Sequence, residues 1–173
     1  MTSTALPPLV DDVRAHAYAY ASLGWAVVPI IPGRKYPPFA AWGEAATTDP
    51  DVIETWWGGL YPDYGIGIVT GPPSGLWVLD VDVAAGRTGD VTLTELELAH
   101  GPLGPTVEAI TGTGGRHLYF AWDVAEAVRN DQSGRIGRHV DVRGAGGQVL
   151  APPTRHPDTG RRYRWRPGHE PWV

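Results

Sequence analysis

The sequence contains no cysteine. Without cysteine the chain has no disulfide framework and no zinc site built on thiolates, so we expect no zinc cofactor. No apolar run approaches the roughly 20 residues that a membrane-spanning helix needs. Residues 1–8 also lack the basic segment followed by an apolar core that is typical of a signal peptide. These absences predict a cytoplasmic protein that does not interact with membranes.

Basic residues are scarce over the first two thirds of the sequence. Residues 1–115 contain four of the 14 Lys and Arg residues but 13 of the 19 Asp and Glu residues. The formal net charge of -5 argues against a simple nucleic-acid coat protein. An acidic part followed by a basic part favours a protein in which carboxylates hold metal ions and arginines hold phosphate groups.

The length and composition are those of one domain with a hydrophobic core. The chain has 173 residues, of which 42% are hydrophobic, and its 23 glycines and 17 prolines predict many turns and short elements. Neither the Gly-x-Gly-x-x-Gly dinucleotide motif nor the P-loop motif occurs. Helices and strands at first, then mainly strands, predict an α+β fold with a largely antiparallel or mixed sheet. We expect a single domain over residues 1–173 with its core at about 11–166.

Three helices are predicted from capping residues and apolar spacing. The first begins at Asp11 or Asp12, the second begins with Thr48 as its cap, and the third follows a capping box at Thr92 and ends near His100. Short apolar or alternating runs predict strands at residues 25–30, 65–70, 76–82, 106–111, 118–122, 139–143, 148–151 and 163–166. We expect the second and third of these strands to form one hairpin and the sixth and seventh another.

Two carboxylates close the most apolar of these strands. The run Leu76–Leu79 predicts a strand buried on both faces, and Asp80 and Asp82 follow it two residues apart, which places both on one face. Like charges this close raise each other's pKa unless a cation lies between them, and hard divalent cations prefer carboxylate oxygens. The alternative is an ordinary solvated strand end.

Two later segments add groups that suit a phosphate or a metal ion. In Thr113–His117 the glycines allow the backbone to wrap around an anion, while Arg116 and His117 can donate to it. Asp141 supplies a third carboxylate on another predicted strand. Three carboxylates can hold two divalent ions roughly 4 Å apart, the arrangement used for phosphoryl displacement. Taken alone, each segment is a weak signal, because a single histidine beside a strand is more often structural than a ligand and a Gly-Gly pair is more often a turn.

In chain order, the segments resemble a known family. They are Gly24-Trp25 with Val28-Pro29, Pro32–Pro37, Trp42, Ala46–Pro50 with Trp56, Gly65–Gly71, Ser74–Asp82, Thr113–Phe120, Val140–Gly144, and Gly147 with Ala151–Pro153. Together they resemble the N-terminal primase-polymerase (Prim-Pol) domain of the archaeo-eukaryotic primase superfamily, found in replication proteins of phages, plasmids and integrated elements. The resemblance covers about residues 15–166. It implies an RRM-like, mainly antiparallel sheet core with flanking helices and an N-terminal αβ unit.

The resemblance also implies roles for individual residues. The catalytic carboxylates, which would hold two Mg²⁺ or Mn²⁺ ions, are Asp80, Asp82 and Asp141. The nucleotide-binding residues are His117, Arg116, Gly115, Gly114 and Thr113, with Lys35 and Arg143 as further phosphate or template contacts. The arginine-rich segment that includes Arg162, Arg164, Trp165 and Arg166 is expected to follow a single-stranded template by ion pairing and stacking. The alternative is that this segment is simply the exposed outer face of a strand and does not bind a template.

The activity implied by the resemblance is template-dependent nucleotidyl transfer, as DNA primase and DNA polymerase. A primer 3′-hydroxyl would attack the α-phosphate of a nucleoside triphosphate, dNTP or NTP, on a single-stranded DNA template. Relatives usually continue into a helical bundle and a helicase, so a downstream helicase domain or protein is an expected partner.

Two other functions remain open from the residues alone. A metal-dependent glycosyltransferase would also use an Asp-x-Asp pair, but it needs a larger nucleotide domain and leaves His117 and Asp141 unexplained. A non-catalytic nucleic-acid-binding module would not need the full set of three carboxylates and a histidine. Sugar-nucleotide turnover would identify the first, and DNA binding without nucleotide binding would identify the second.

Overall fold

The computed structural model of the chain describes residues 12–123, 125 and 128–172. Its helices are α1 (Val13–Ser22), α2 (Trp42–Ala45), α3 (Pro50–Thr55), a π-helix (Trp56–Leu60) and α4 (Gly89–His100). Its strands are β1 (Val27–Ile30), β2 (Gly65–Val69), β3 (Leu76–Val81), β4 (Val83–Ala84), β5 (Arg87–Thr88), β6 (Val107–Ile110), β7 (Arg116–Ala121), β8 (Val140–Arg143), β9 (Gln148–Ala151) and β10 (Arg164–Trp165). None of the described helices is long and apolar enough to cross a bilayer.

The strands form three sheets. One has the order β1-β2-β9, the largest has the order β10-β6-β7-β3-β8, and β4 and β5 form a two-stranded ribbon. All the strand pairs within these sheets are antiparallel. The predicted α+β class with antiparallel sheets is confirmed, whereas the RRM-like character of the core stays a prediction.

The register of the five-stranded sheet places the predicted site residues on one face. Asp80 on β3 lies opposite His117 on β7 and opposite Asp141 on β8. Because side chains alternate along a strand, these three share a face, which we call the site face. The other face, which we call the helix face, packs its apolar residues against Leu93 of α4; they are Leu79, Val81, Leu118, Val140 and Val142.

The main core lies on the apolar part of the site face and joins the two larger sheets. It includes Tyr20 of α1, Ile66 of β2 and Tyr119 of β7, all fully or almost fully buried. The Tyr20 hydroxyl accepts a hydrogen bond from Trp165 Nε1 (3.1 Å) and donates to the Pro152 carbonyl (2.6 Å). The core therefore fixes the polar end of the site face relative to α1 and the smaller sheet.

Both predicted hairpins are wrong. β2 and β3 belong to different sheets and share only the bridge between Gly71 and Leu76, and β8 and β9 are likewise separated. The reason lies in the two turns, which bind each other. The Thr70 amide donates to the Gly147 carbonyl (2.9 Å), and the Thr70 hydroxyl donates to the Gly144 carbonyl (2.7 Å). Each turn thus carries the chain from one sheet to the other.

The helix starts differ from the prediction in two places. Asp12 caps α1 as expected, whereas the alternative cap Asp11 lies outside the described residues. Asp49, not Thr48, caps α3 by accepting from the amide of Asp51 (2.8 Å). α4 begins before Thr92, because the Gly89 amide donates to the carbonyl of Asp82 (2.9 Å). A tertiary contact therefore sets the start of α4 in place of a local capping box.

Candidate active site

The predicted carboxylates line one cavity at the polar end of the site face. The cavity has a volume of about 960 Å³. Among the residues predicted from the sequence, those that line it are Asp80, Asp82, Asp141, His117, Arg143, Thr113 and Lys35. Segments more than 100 residues apart, from the loop at Lys35 to Arg143, therefore meet at one place.

Asp80 is the most buried of the three carboxylates, with 8% of its surface exposed. Its Oδ2 accepts from Arg143 Nη2 (2.9 Å) and Nε (3.2 Å), and its Oδ1 lies 3.3 Å from His117 Nε2. Burial alone would raise the pKa of Asp80, but the charges and hydrogen bonds of His117 and Arg143 lower it to about 2. Asp80 is thus held as a carboxylate by two cationic or hydrogen-bonding neighbours.

Asp141 experiences an excess of negative charge. Arg143 Nη2 bridges from Asp80 to Asp141 Oδ2 (3.2 Å). Even so, burial, together with the charges of Asp80, Asp82 and Asp131, raises the pKa of Asp141 above its ordinary value. One arginine is not enough to offset the acids around this carboxyl group.

Asp82 lies just beyond β3 and is paired with an arginine that the sequence interpretation missed. Arg87, on the β4–β5 ribbon, donates from Nη1 to Asp82 Oδ2 (2.9 Å). The Asp82 amide donates to the carbonyl of His139 (2.9 Å), which fixes the backbone after the strand. Each of the three carboxylates therefore pairs with an arginine, Arg143 for Asp80 and Asp141 and Arg87 for Asp82.

The chemistry of these residues suits a divalent cation, although the side chains do not converge on one point. Within the described ranges, no group of three or more acidic or histidine side chains is placed to hold a metal ion. Arg143 spans Asp80 and Asp141, and Arg87 occupies Asp82. Three carboxylates in one cavity, with a raised pKa at Asp141, are nevertheless the donor set that hard cations prefer. The two arginines occupy the oxygens that such an ion would take.

His117 has one ring nitrogen available for a ligand. The residue is 4% exposed and lines the cavity. Among the described residues, its buried Nδ1 has no hydrogen-bond partner. A buried polar atom without a partner is costly in a native protein, and a bound ligand is one way to satisfy it. The Tyr163 ring, 5.5 Å away between centroids, packs against the imidazole and limits its movement.

The glycine-rich turn before β7 approaches the end of β3. The Thr113 side chain lines the cavity, and its hydroxyl lies 3.0 Å from that of Thr111. Gly114 has a φ of 98°, which favours glycine. A Cβ on Gly115 would lie 2.4 Å from the carbonyl oxygen of Val81, so only glycine fits there without displacing the strand. The turn is therefore packed closely against the strand that carries Asp80.

Arg116 and Arg166 do not reach this cavity. Arg116 alternates with His117 along β7 and so lies on the helix face. It donates to the buried Glu108 from Nε (2.6 Å) and Nη2 (3.1 Å), and Arg166 Nη1 donates to the same carboxylate (2.9 Å). The structure therefore gives no support to Arg116 as a phosphate ligand or to Arg166 as a template contact.

The other predicted template contacts, Arg162, Arg164 and Trp165, all line a second cavity, but they differ in how much of each side chain is exposed. Trp165 is in the main core, where it contacts Tyr20 and leaves little surface for stacking on a base. Arg164 is exposed and shares a cross-strand row with Arg116 on the helix face. Arg162 donates to the Pro153 carbonyl (2.9 Å), and the cavity that it lines with the other two has a volume of about 600 Å³. Their binding to nucleic acid stays a prediction, and Arg162 is the best placed of them.

The cavity residues that were not assigned to the site from the sequence include Arg87, Arg138 and His139. Each lies close in sequence to a motif that was recognised, because Arg87 follows Asp82 by five residues and the other two directly precede β8. Basic residues flanking an acidic motif are the signal that would have indicated them.

One comparison with known proteins found a match. The family model described as Prim-Pol, bifunctional DNA primase/polymerase, N-terminal, matches residues 17–172. A search of curated proteins found no match. The matched range contains all the residues that line the carboxylate cavity.

Proposed function

The chain belongs to the Prim-Pol family of bifunctional DNA primase/polymerase N-terminal domains, and we propose that it is a nucleotidyltransferase that extends and initiates DNA primers on a single-stranded template. Membership supports a role in primase or polymerase nucleotidyl transfer in general, with nucleotides and DNA as substrates. The observation that carries the proposal for this chain is the convergence of Asp80, Asp82, Asp141 and His117 on one cavity. We propose that residues 1–173 act as one catalytic unit in DNA replication, with a downstream helicase as partner.

Asp80, Asp82 and Asp141 would hold the two divalent ions, Mg²⁺ or Mn²⁺. Prim-Pol enzymes are in general dependent on divalent metal ions. When bound, such ions supply a lowered pKa for the attacking 3′-hydroxyl and charge stabilisation for the leaving pyrophosphate. The low pKa of Asp80 keeps that residue ionised across the whole physiological range, as a metal ligand requires.

His117 and Lys35 would bind the phosphates of the nucleotide. The free Nδ1 of His117 can donate a hydrogen bond when it carries the proton, and the exposed ammonium group of Lys35 lines the same cavity. Such donors offset the charge that develops on phosphate oxygens during transfer. Thr113 and the two glycines after it would close this side of the pocket.

Arg143 and Arg87 would act as internal counter-ions. In the structure they pair with the three carboxylates, which repel each other. If Asp80, Asp82 and Asp141 held metal ions, both guanidinium groups would be available to the nucleotide phosphates, with which arginine pairs well.

The template would lie along the cavity of about 600 Å³ beside β10. This cavity and the carboxylate cavity share Thr111 and Tyr163, so the two adjoin. Arg161 and Arg162 line it together with the ring of Trp172. Guanidinium groups with an aromatic ring suit the backbone and bases of single-stranded DNA.

The test is template-dependent incorporation on primed and unprimed single-stranded DNA with Mg²⁺ or Mn²⁺. We expect the wild type to incorporate nucleotides only with metal, Asp82→Ala to lose incorporation, and the control Asp63→Ala to retain it. Asp63 is an exposed carboxylate that does not line the carboxylate cavity. A folded wild type that binds DNA but incorporates nothing under either metal would refute the proposal and favour a binding module.

A further inference from the structure

His139 has a left-handed backbone conformation, which is unfavourable for residues other than glycine. Its φ is 63°, the single positive φ at a non-glycine residue among those the structure describes. Two contacts maintain it: its carbonyl accepts from the amide of Asp82 (2.9 Å), and its ring Nδ1 accepts from the amide of Thr88 (3.0 Å). Strained residues of this kind, over-determined by their surroundings, cluster at functional sites.

The contact with Thr88 determines which ring nitrogen carries the proton. Since the Thr88 amide donates to Nδ1, that nitrogen is an acceptor, and the proton of the neutral ring is on Nε2. His139 lines the carboxylate cavity, and among the described residues Nε2 has no hydrogen-bond partner. The ring is thus fixed at one nitrogen and presents an N–H donor with the other.

Arg138 adds a charge next to this donor. Its side chain is exposed and lines the same cavity, and within the described part of the chain it forms no ion pair. Arg87 lies nearby on the ribbon that Thr88 belongs to and pairs with Asp82. Donors from Arg87, Arg138 and His139 therefore lie around Asp82, in the cavity that also contains Asp80 and Asp141.

We propose that Arg138 and His139 form an anion subsite beside Asp82 that binds the triphosphate of the nucleotide. This inference rests on the proposed nucleotidyl transfer and extends it to residues not assigned before. A triphosphate carries several negative charges, and three carboxylates face the same space. Donors beside Asp82 offset this negative charge and give the triphosphate a place to bind in a cavity that also holds carboxylates.

The experiment measures the binding of a nucleoside triphosphate and of its monophosphate by calorimetry, with Mg²⁺ present. His139→Asn is the informative variant, because asparagine tolerates a positive φ and its carbonyl can still accept from Thr88, but it lacks the Nε2 donor. Arg138→Gln removes the charge alone. Arg135→Gln is the matched control, since Arg135 lies on the same segment, has a side chain that is 85% exposed and does not line the cavity.

We expect His139→Asn and Arg138→Gln each to weaken triphosphate binding about ten-fold, the effect of losing one hydrogen bond to a charged group. Monophosphate binding and the control variant should be unchanged. Wild-type triphosphate affinity in both variants would overturn the subsite and leave His139 a structural role. Equal losses for the monophosphate would overturn it as well. If the wild type binds no triphosphate at all, the result refutes the proposed function itself. Loss of the subsite alone would instead leave triphosphate binding in the wild type, so the two failures are distinguishable.

Discussion

Glu108 is the residue whose replacement tests the assignment of Arg116 and Arg166 most sharply. It is 3% exposed on the helix face and receives three hydrogen bonds from the two guanidinium groups. Burial alone would raise the pKa of Glu108, but the hydrogen bonds from Arg116 and Arg166 lower it below its ordinary value. The arrangement is a buried carboxylate clamped between two partly exposed arginines. We expect Glu108→Gln to destabilise the fold and leave catalysis by the folded protein intact.

The magnitude follows from burial. Breaking a fully buried ion pair costs about 3–5 kcal/mol, because one charge is left uncompensated. Here the side chains of Arg116 and Arg166 are 35% and 47% exposed and can turn to water, so a discount for solvent applies. We therefore expect Glu108→Gln to lower the free energy of unfolding by about 2–3 kcal/mol. For a chain of this length that corresponds to a loss of about 8 °C in Tm.

The assay is urea unfolding followed by tryptophan fluorescence, together with nucleotide incorporation at a temperature where the variant is folded. Arg116→Met and the double variant complete a thermodynamic cycle, and we expect coupling between the two positions. Unchanged stability in Glu108→Gln would show that the contacts of Glu108 with Arg116 and Arg166 do not stabilise the fold. Arg116→Met with full stability but lost nucleotide binding would show that Arg116 acts in the site, as the sequence first indicated.

Three further outcomes are expected. The folded pKa of Asp80, about 2, is below its ordinary value of 3.8. The ionised Asp80 therefore contributes about 2 kcal/mol to the free energy of unfolding above pH 4, and this contribution is lost as the pH falls toward 2. The stability difference between wild type and Asp80→Asn, measured by urea unfolding, should shrink over that range, and a constant difference would contradict this. Gly115→Ala should reduce incorporation, because the added Cβ would lie 2.4 Å from the Val81 carbonyl at the end of β3; wild-type kinetics would show that the turn is not packed as described. Tyr20→Phe should cost about 1–3 kcal/mol, because it leaves Trp165 Nε1 and a carbonyl in the core without partners, and denaturant unfolding without a shift in midpoint would refute this.

Local patterns predicted most single elements of this fold. The apolar run before Asp80 is β3, the Asp12 cap begins α1, and the return strand after Gly147 is β9. Pairing was harder to predict, because both supposed hairpins depend on turns that bind each other through Thr70. A contact between residues more than 70 positions apart leaves no trace in local spacing.

The spacing of the carboxylates indicated that they lie together, and the resemblance indicated Arg143 and Lys35, whereas Arg87, Arg138 and His139 in the same cavity were not predicted. The i, i+2 rule places Asp80 and Asp82 together, and the register then brings Asp141 opposite Asp80. Arg116 was assigned to the phosphates because it is next to His117, yet neighbours on a strand face opposite ways. His139 was missed because its role depends on a backbone conformation and a contact with Thr88 that the sequence does not show.

The aromatic core has a consequence for the order of events during synthesis. Tyr20 and Trp165 touch in the folded protein but are 145 residues apart along the chain. Contacts of such separation make folding slow, since the chain must close a long loop before the contact forms. At the usual pace of translation, roughly 10 to 30 s pass between the emergence of the two residues. During that interval α1 can already pack against α3, β1 and β2, but the part of Tyr20 that Trp165 covers stays exposed until β10 has been made.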